Sequence, residues 1–249
     1  MRWIENMLSA IVPCYNKKEV VYKALSNIRD ILATTGLKYE MVLVNDASTD
    51  GTLLELQRFA EKHPEARVVA LTTNLGKGGA LLEGFKHSKG NPVLFIDADL
   101  DLSPAQIPRF LEYMDRFRAD VVIGSKNHPD SIVKYPLIRK ILSRGYLYLN
   151  FFLFQLPISD TQVGMKLFRR EVLEYAVPKM LVKKYAYDLE LLVLARYAGY
   201  HIKDAPIDLK FNAGTGFGSG VSLASIFHIF MDTVAIWYRL KILKYYDKK

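Results

Sequence analysis

Three aspartates, Asp97, Asp99 and Asp101, stand at alternating positions directly after the apolar run Pro92-Val93-Leu94-Phe95-Ile96. In extended backbone, residues two apart point the same way, so three carboxylates can converge on one spot. Converging carboxylates repel one another unless positive charge lies between them. A hard divalent cation, Mg²⁺ or Mn²⁺, meets that need and commonly holds phosphate as well. A helix cap ahead of Ser103 and Pro104 would account for one acid but not for three. The spacing therefore predicts a metal site with Asp97, Asp99 and Asp101 as ligands.

A cluster of this kind has to be carried by a strand. The first half of the chain alternates strand patterns at Leu8–Val12, Tyr39–Asn45, Val68–Leu71, Val93–Ile96 and Val121–Gly124 with helical patterns at Glu19–Ala33, Thr52–Glu61, Gly79–Lys86 and Pro104–Arg116. Such alternation predicts an α/β fold with a doubly wound, mainly parallel sheet and right-handed crossovers, whose ligands bind beyond the carboxyl ends of the strands. The loops at those ends, Pro13–Lys17, Asp46–Gly51, Asn74–Gly78 and Asp97–Asp101, are all polar or glycine-bearing. Asp46, at the end of the second strand, can accept hydrogen bonds from a nucleobase or ribose. Asp50-Gly51-Thr52 serves as turn and helix cap. The loop Asn74-Leu75-Gly76-Lys77-Gly78-Gly79 has neither the glycine spacing nor the Ser/Thr of a Walker loop. It can bring backbone and Lys77 to a nucleotide, or simply start a helix packed close to the sheet.

After Ser125 the pattern changes. The very apolar stretch Tyr146–Ile158 follows Lys134, Arg139, Lys140 and Arg144. Then come the segment Asp160–Phe168, a helix near Tyr187–Ala198, a strand at Ile207–Phe211, a glycine-rich loop at Gly214–Gly220 and a last helix, Val221–Tyr246. With 249 residues, half of them hydrophobic, the chain suffices for one sizeable core. Its lone cysteine, Cys14, excludes an internal disulfide and suits a reducing compartment. The start carries an acid and runs straight into a strand pattern, so no cleavable signal peptide is expected. The very apolar, uncharged stretch between Arg144 and Asp160 falls short of the roughly 18–20 apolar residues of a membrane span. The net charge of +8 suits an anionic partner. No nucleic-acid module accompanies it, which leaves phosphate or an acidic membrane surface.

Together, Pro13-Cys14-Tyr15-Asn16, Asn45-Asp46, Asn74–Gly79 and Asp97-Ala98-Asp99 resemble the family 2 glycosyltransferases, which have the GT-A fold. Within that family, Asp160-Thr161-Gln162-Val163-Gly164-Met165-Lys166-Leu167-Phe168 and Tyr187-Asp188-Leu189-Glu190-Leu191 look most like the dolichyl-phosphate glucose and mannose synthases. The resemblance covers nearly the whole chain. It implies an inverting hexosyl transfer from a UDP- or GDP-sugar to a polyprenyl or dolichyl phosphate, with Mg²⁺ or Mn²⁺, at the cytoplasmic face of a membrane. Carried over by position, Pro13, Tyr15, Val44 and Asp46 surround the base and ribose, and Asp97, Ala98 and Asp99 line the diphosphate and metal. Lys126 stands where an arginine usually meets phosphate, and a lysine keeps the charge but loses the two-pronged donor. Gln162 belongs to the substrate-binding set. Lys17 replaces a glutamate common after Tyr-Asn in relatives. Gly214–Gly220 lacks the basic pair that related synthases use against phosphate, for which Lys166 or Lys210 are candidate substitutes.

Asp188 and Glu190 do not share a helical face, so one of the two is expected to enter the site and orient acceptor or sugar. An aspartate here serves as general base in relatives that act on hydroxyls. A lipid phosphate is already largely an oxyanion at pH 7 and calls for positive charge, not a base. The alternative acceptor is a sugar hydroxyl of a surface polysaccharide or glycolipid. The last helix carries Ser222, Ser225, His228, Asp232 and Arg239 against a broad apolar arc with Trp237 and basic residues near its end. That pattern fits an amphipathic helix in the membrane interface, or else ordinary core or a dimer contact. The domain expectation is a GT-A unit over residues 1–220 and this helix over 221–249; whether an integral membrane partner is needed is left open.

Overall fold

The computed structural model describes residues 6–99, 102–133, 137–209 and 223–247. Its centre is a seven-stranded sheet. The strands of the first half are β1 (Asn6–Cys14), β2 (Lys38–Asn45), β3 (Ala66–Ala70), β4 (Asn91–Phe95) and β5 (Val121–Ser125). The helices between them are α1 (Lys18–Thr34), α2 (Thr52–Lys62), α3 (Gly76–Lys86) and α4 (Ile107–Arg116), the last entered through a 3₁₀ turn at Pro104–Gln106. Each expected strand and helix of this half is present, with ends shifted by a few residues. Strands β1, β2 and β4 are nearly continuous apolar runs because helices cover both faces of the sheet.

The second half contributes β6 (Ile132–Val133), α5 (Leu137–Phe154), β7 (Lys166–Phe168), α6 (Arg170–Ala176), α7 (Tyr187–Tyr197), β8 (Ile202–Pro206), β9 (Asp208–Leu209) and α8 (Leu223–Lys241). The sheet order is β3-β2-β1-β4-β7-β5-β8. All neighbours are parallel except β7, which runs antiparallel to both β4 and β5. Strands β6 and β9 form a small separate sheet. Within the strand expected at Ile207–Phe211 the described residues hold only the short β9, Asp208–Leu209, while the main-sheet strand β8 lies just before it at Ile202–Pro206, where none was expected. Lys210, Phe211, Gly214–Gly220, the junction at 220–221 and Lys134 lie outside the described residues, as do the side chains of Arg139 and Lys140.

Strand order reverses between β1 and β4. From β1 the chain steps outward to β2 and β3, then returns to place β4 on β1's other side. The crevice that opens at such a reversal is where open α/β sheets bind ligands. Helix α3 closes over this point because Gly84 brings its backbone against Ile11 of β1 and Val44 of β2. Among the described residues, no helix is long and apolar enough to cross a membrane.

A Cβ at Gly84 would collide with the Ile11 and Val44 methyls. Alanine favours a helix interior over glycine by about 0.5–1 kcal/mol, whereas overpacking costs about 1–3 kcal/mol. Gly84→Ala is therefore expected to lower unfolding free energy by roughly 1–2 kcal/mol in urea titrations. An unchanged or raised midpoint would show that α3 does not pack this tightly on the sheet.

Candidate active site

The crevice is walled by the loops after β1, β2 and β4 and by the glycine-rich start of α3. The first two loops are tied together: Asn16 N–H donates to Ser48 Oγ (3.1 Å), Thr49 N–H to Asn16 Oδ1 (2.9 Å) and Lys17 N–H to Thr52 Oγ1 (2.8 Å). Asn16 itself takes a positive φ of 49°. This conformation leaves Tyr15 projecting, 48% exposed. Asp46, buried, accepts from Leu75 N–H at 2.7 Å, and its carbonyl accepts from Asn74 Nδ2 at 3.1 Å. One oxygen of its carboxylate thus fixes the Asn74–Leu75 turn from which α3 starts, at the position where a contact to nucleobase or ribose is expected. Val44 departs further from expectation. It is fully buried under α3 and reaches no solvent.

Asp97 receives the Lys77 ammonium at 2.7 Å from each of its carboxylate oxygens. Directly opposite lies Gly164, where a Cβ would strike the Asp97 carboxylate. Glycine is therefore required at 164 by close approach. Lys77 is delivered in a similar way: Gly76 has φ +77°, Gly79 N–H donates to the Lys183 carbonyl at 3.0 Å, and a Cβ at Gly78 would overlap Tyr187 and the same carbonyl. Burial pulls the Lys77 pKa down, but Asp97, followed by Asp188, outweighs it and holds the ammonium above its usual range.

A second pair lies beside the first and deeper. Lys166, on β7, places Nζ 2.6 Å from Asp188 Oδ1 at the start of α7, and both residues are buried. The same ammonium donates to the Val163 carbonyl at 2.5 Å, which holds the Gly164 turn in place. Burial lowers the Lys166 pKa, with Asp188 opposing that shift and Lys77 adding to it. Burial also pushes the Tyr187 hydroxyl well above its usual range, reinforced by Asp188 and Asp97. The thiol of Cys14 is pushed up to about 12, first by burial and then by the Asp97 charge. Lys77, Asp97, Lys166 and Asp188 thus form one alternating cluster drawn from α3, the loop after β4, β7 and α7.

The remaining expected residues fall around this cluster in different states. Ala98 is buried beside Asp97, and Pro13 is partly buried at the end of β1. Lys126 pairs with Asp160 at 3.3 Å, so its charge is turned onto the start of the Asp160–Lys166 segment. Gln162 donates its backbone N–H to Asp160 Oδ1 at 3.0 Å and leaves its side chain exposed. Glu190 is not brought to the cluster. Its fully buried carboxylate accepts from Leu181 N–H (2.9 Å), Val182 N–H (2.7 Å), Tyr246 Oη (2.5 Å) and Arg239 Nη1 (3.2 Å). That occupancy makes it an anchor for α8 and for the 181–182 segment instead of an acceptor contact. Asp188, a little over half a helical turn away, faces the other way.

For a metal, the described residues offer Asp97 and Asp99; Asp101 lies outside them. Among the described residues no three His, Cys, Asp or Glu side chains converge. Such a set suits Mg²⁺ or Mn²⁺, which bind through one or two carboxylates together with substrate phosphates and water. The ammonium seated symmetrically on Asp97 shows that this position already takes a cation.

Residues 9–176 match the family described as Glycosyl transferase family 2. The chain is 29% identical over 222 residues to a dolichyl-phosphate beta-glucosyltransferase of Saccharomyces cerevisiae, covering 82% of this chain and 66% of that protein. It is 31% identical over 256 residues to a dolichyl-phosphate beta-glucosyltransferase of Trichomonas vaginalis, covering 97% of this chain and 77% of the relative. The chain therefore spans just under two thirds of the yeast protein's length. Among solved structures, it resembles glucosyl-3-phosphoglycerate synthase of Mycobacterium tuberculosis in complex with Mn²⁺, UDP-glucose and phosphoglyceric acid (TM-score 0.68, 17% identity, 94% of this chain and 79% of that one). At that identity the likeness establishes the fold, a GT-A-like, mostly parallel sheet flanked by helices.

Removing the Glu190 carboxylate leaves Arg239 and two N–H groups without their buried acceptor. Breaking a buried pair costs about 3–5 kcal/mol. Glu190→Ala is expected to lower stability by that order and to expose α8 to limited proteolysis, with Glu190→Gln milder. If Glu190→Ala melted like the parent, the carboxylate would not be what secures α8.

Proposed function

The chain belongs to glycosyl transferase family 2, and on that premise we propose that it transfers a hexose, with inversion, from a nucleotide sugar to a polyprenyl phosphate of the dolichyl type. The observation that carries this reading is the Lys166–Asp188 pair at 2.6 Å beside Asp97. A hydroxyl acceptor needs a base to take its proton, and the carboxylate best placed for that is already bound to a buried ammonium. A phosphate monoester has its second pKa near 6 and arrives as an oxyanion. In the proposed step an acceptor phosphate oxygen bonds to the anomeric carbon as the bond from that carbon to the donor diphosphate breaks. The acceptor goes from dianion to monoanionic diester, and the departing nucleoside diphosphate takes up the electron pair and one negative charge. No proton has to move.

In this reading Asp97 and Asp99 would hold a divalent cation, whose contribution is to offset the charge growing on the leaving diphosphate. Tyr15, Pro13 and the Asp46-fixed turn border the nucleotide, and Gln162 and Lys126 flank the sugar and acceptor side. The relatives' names point to glucose, and the fold neighbour's complex to UDP-glucose with Mn²⁺, so UDP-glucose is the donor we favour over a GDP-sugar.

The acceptor's chain requires an apolar surface, and two helices offer one. Tyr148, Phe151 and Phe152 are exposed on α5, and Phe227, Phe230, Met231, Val234 and Tyr238 on α8. These faces support placement on a membrane surface. The lone thiol of Cys14 suits a reducing compartment and hence the cytoplasmic face.

A labelled-sugar assay offering polyprenyl phosphate beside a soluble sugar acceptor tests the proposal. Label should partition with the lipid. The rate should rise through about pH 6 as the acceptor ionises and then level off. Asp99→Asn should lower turnover by about 100-fold or more. Transfer to the hydroxyl acceptor alone, or full activity in Asp99→Asn, would overturn the reading.

A further inference from the structure

We infer that Lys77 is an internal competitor for the cation at Asp97, displaced onto the donor's diphosphate when metal and nucleotide bind together. The inference rests on the reading of Asp97 as a cation ligand and goes beyond it by assigning an order to the binding. Lys77 Nζ lies 2.7 Å from both Asp97 oxygens, so neither oxygen would be free for a divalent ion while the ammonium stays in place. A cation of either kind on this carboxylate would repel the other.

The surroundings decide which partner moves. Asp97 is backed by Gly164, whose Cα leaves no space even for a methyl group, so the carboxylate has no second resting place on that side. The backbone that carries Lys77 is equally fixed, through Gly79 N–H to the Lys183 carbonyl and through Gly78 against Tyr187. The Lys77 side chain alone is long, flexible and 37% exposed, and can swing outward. The other cation of the cluster cannot take its place, because Lys166 is committed to Asp188 and to the Val163 carbonyl. A metal ion arriving alone must therefore break the Lys77–Asp97 pair and leave an ammonium without a partner. A metal arriving with a nucleoside diphosphate supplies that ammonium with phosphate oxygens. Metal and nucleotide are consequently coupled: each raises the other's affinity by the same factor.

Electron paramagnetic resonance of free Mn²⁺ measures this directly on the full chain, with no turnover involved. In the parent protein Mn²⁺ alone should bind weakly, and UDP or GDP should tighten it by about 10-fold or more. In Lys77→Gln, Mn²⁺ alone should bind about 10-fold tighter than in the parent, and the nucleotide's enhancement, corrected for Mn²⁺ held by free nucleotide, should shrink by the same factor, leaving only what direct phosphate ligation contributes. Lys77→Arg, which keeps a cation on Asp97, should behave like the parent. Unchanged or weakened Mn²⁺ binding in Lys77→Gln would overturn the competitor role while leaving the proposed function standing. No Mn²⁺ binding to the parent with either nucleotide would overturn both. If Lys77→Gln does not fold, reductive methylation of the parent read by mass spectrometry decides. Saturating Mn²⁺ without nucleotide should speed labelling of Lys77 relative to the exposed Lys89, and an unchanged ratio would overturn the inference.

Discussion

A carboxylate at the end of the sheet's central strand creates a demand for positive charge, and much of the local structure answers it. Asp97 follows β4 at the point where strand order reverses, so it faces the crevice that the topology opens. In the protein by itself the demand is met by Lys77. To put an ammonium there, α3 must lie very close to both the sheet and α7, and Gly78 against Tyr187 and Gly84 against Ile11 and Val44 make that approach possible. To keep the carboxylate aimed, the turn from β7's side must press on it without a side chain, which is the place of Gly164. Substitutions at these glycines would alter the site by moving its charges, although none of them carries a functional group.

The deeper pair, Lys166–Asp188, differs in kind. Two charges removed from water are costly, and their mutual attraction compensates only where geometry is close and the remaining hydrogen bonds are made. Lys166 sits 2.6 Å from Asp188 Oδ1 and donates to the Val163 carbonyl, but that carboxylate oxygen makes no well-aligned hydrogen bond, so the pair meets the condition only in part. Its presence is better understood through position than through stability. It joins β7 to α7 and fixes the Val163–Gly164 turn against Asp97. The half-buried pair at the mouth has one side chain with room to move toward solvent, whereas the buried pair behind it has none. The exchange of cations inferred for Asp97 would need both.

The first half of the chain was legible because periodicity and turn chemistry agree there: continuous apolar runs for buried strands, amphipathic spacing for helices, polar loops between. The aspartate spacing and Lys77 were legible for the same reason. What escaped was short or set by tertiary contact. Strand β7 is three residues long and lies antiparallel between two parallel neighbours, and no local pattern announces that. Strand β8 reads Ile-Lys-Asp-Ala-Pro, where charges interrupt any alternation. Val44 and Glu190 mark the limit of transfer by position. The apolar type of Val44 suits a nucleotide wall and a core equally, and only the approach of Gly84 decides for the core. The acid of Glu190 suits a ligand and an anchor equally, and only the arrival of Arg239 and Tyr246, some fifty residues later, decides for the anchor.

That anchor resolves a difficulty posed by α8. Thr233, Ile236 and Leu240 of α8 are buried toward α7 and α5, yet Phe227, Phe230, Met231, Val234 and Tyr238 are apolar and exposed on another side. A helix that is apolar over most of its circumference gains nearly as much by turning one face inward as another, so hydrophobic burial alone would not fix its rotation. Directional contacts must do so. Arg239 reaches Glu190 at 3.2 Å, Thr233 meets Tyr146 of α5 at 3.1 Å, and the Tyr246 hydroxyl closes on Glu190 from the following turn. A wrongly rotated α8 would leave the fully buried Glu190 without its cation, a penalty far larger than the difference between two apolar faces. The buried carboxylate therefore selects which apolar face is left outside, and on the proposed function that is the face turned to the lipid.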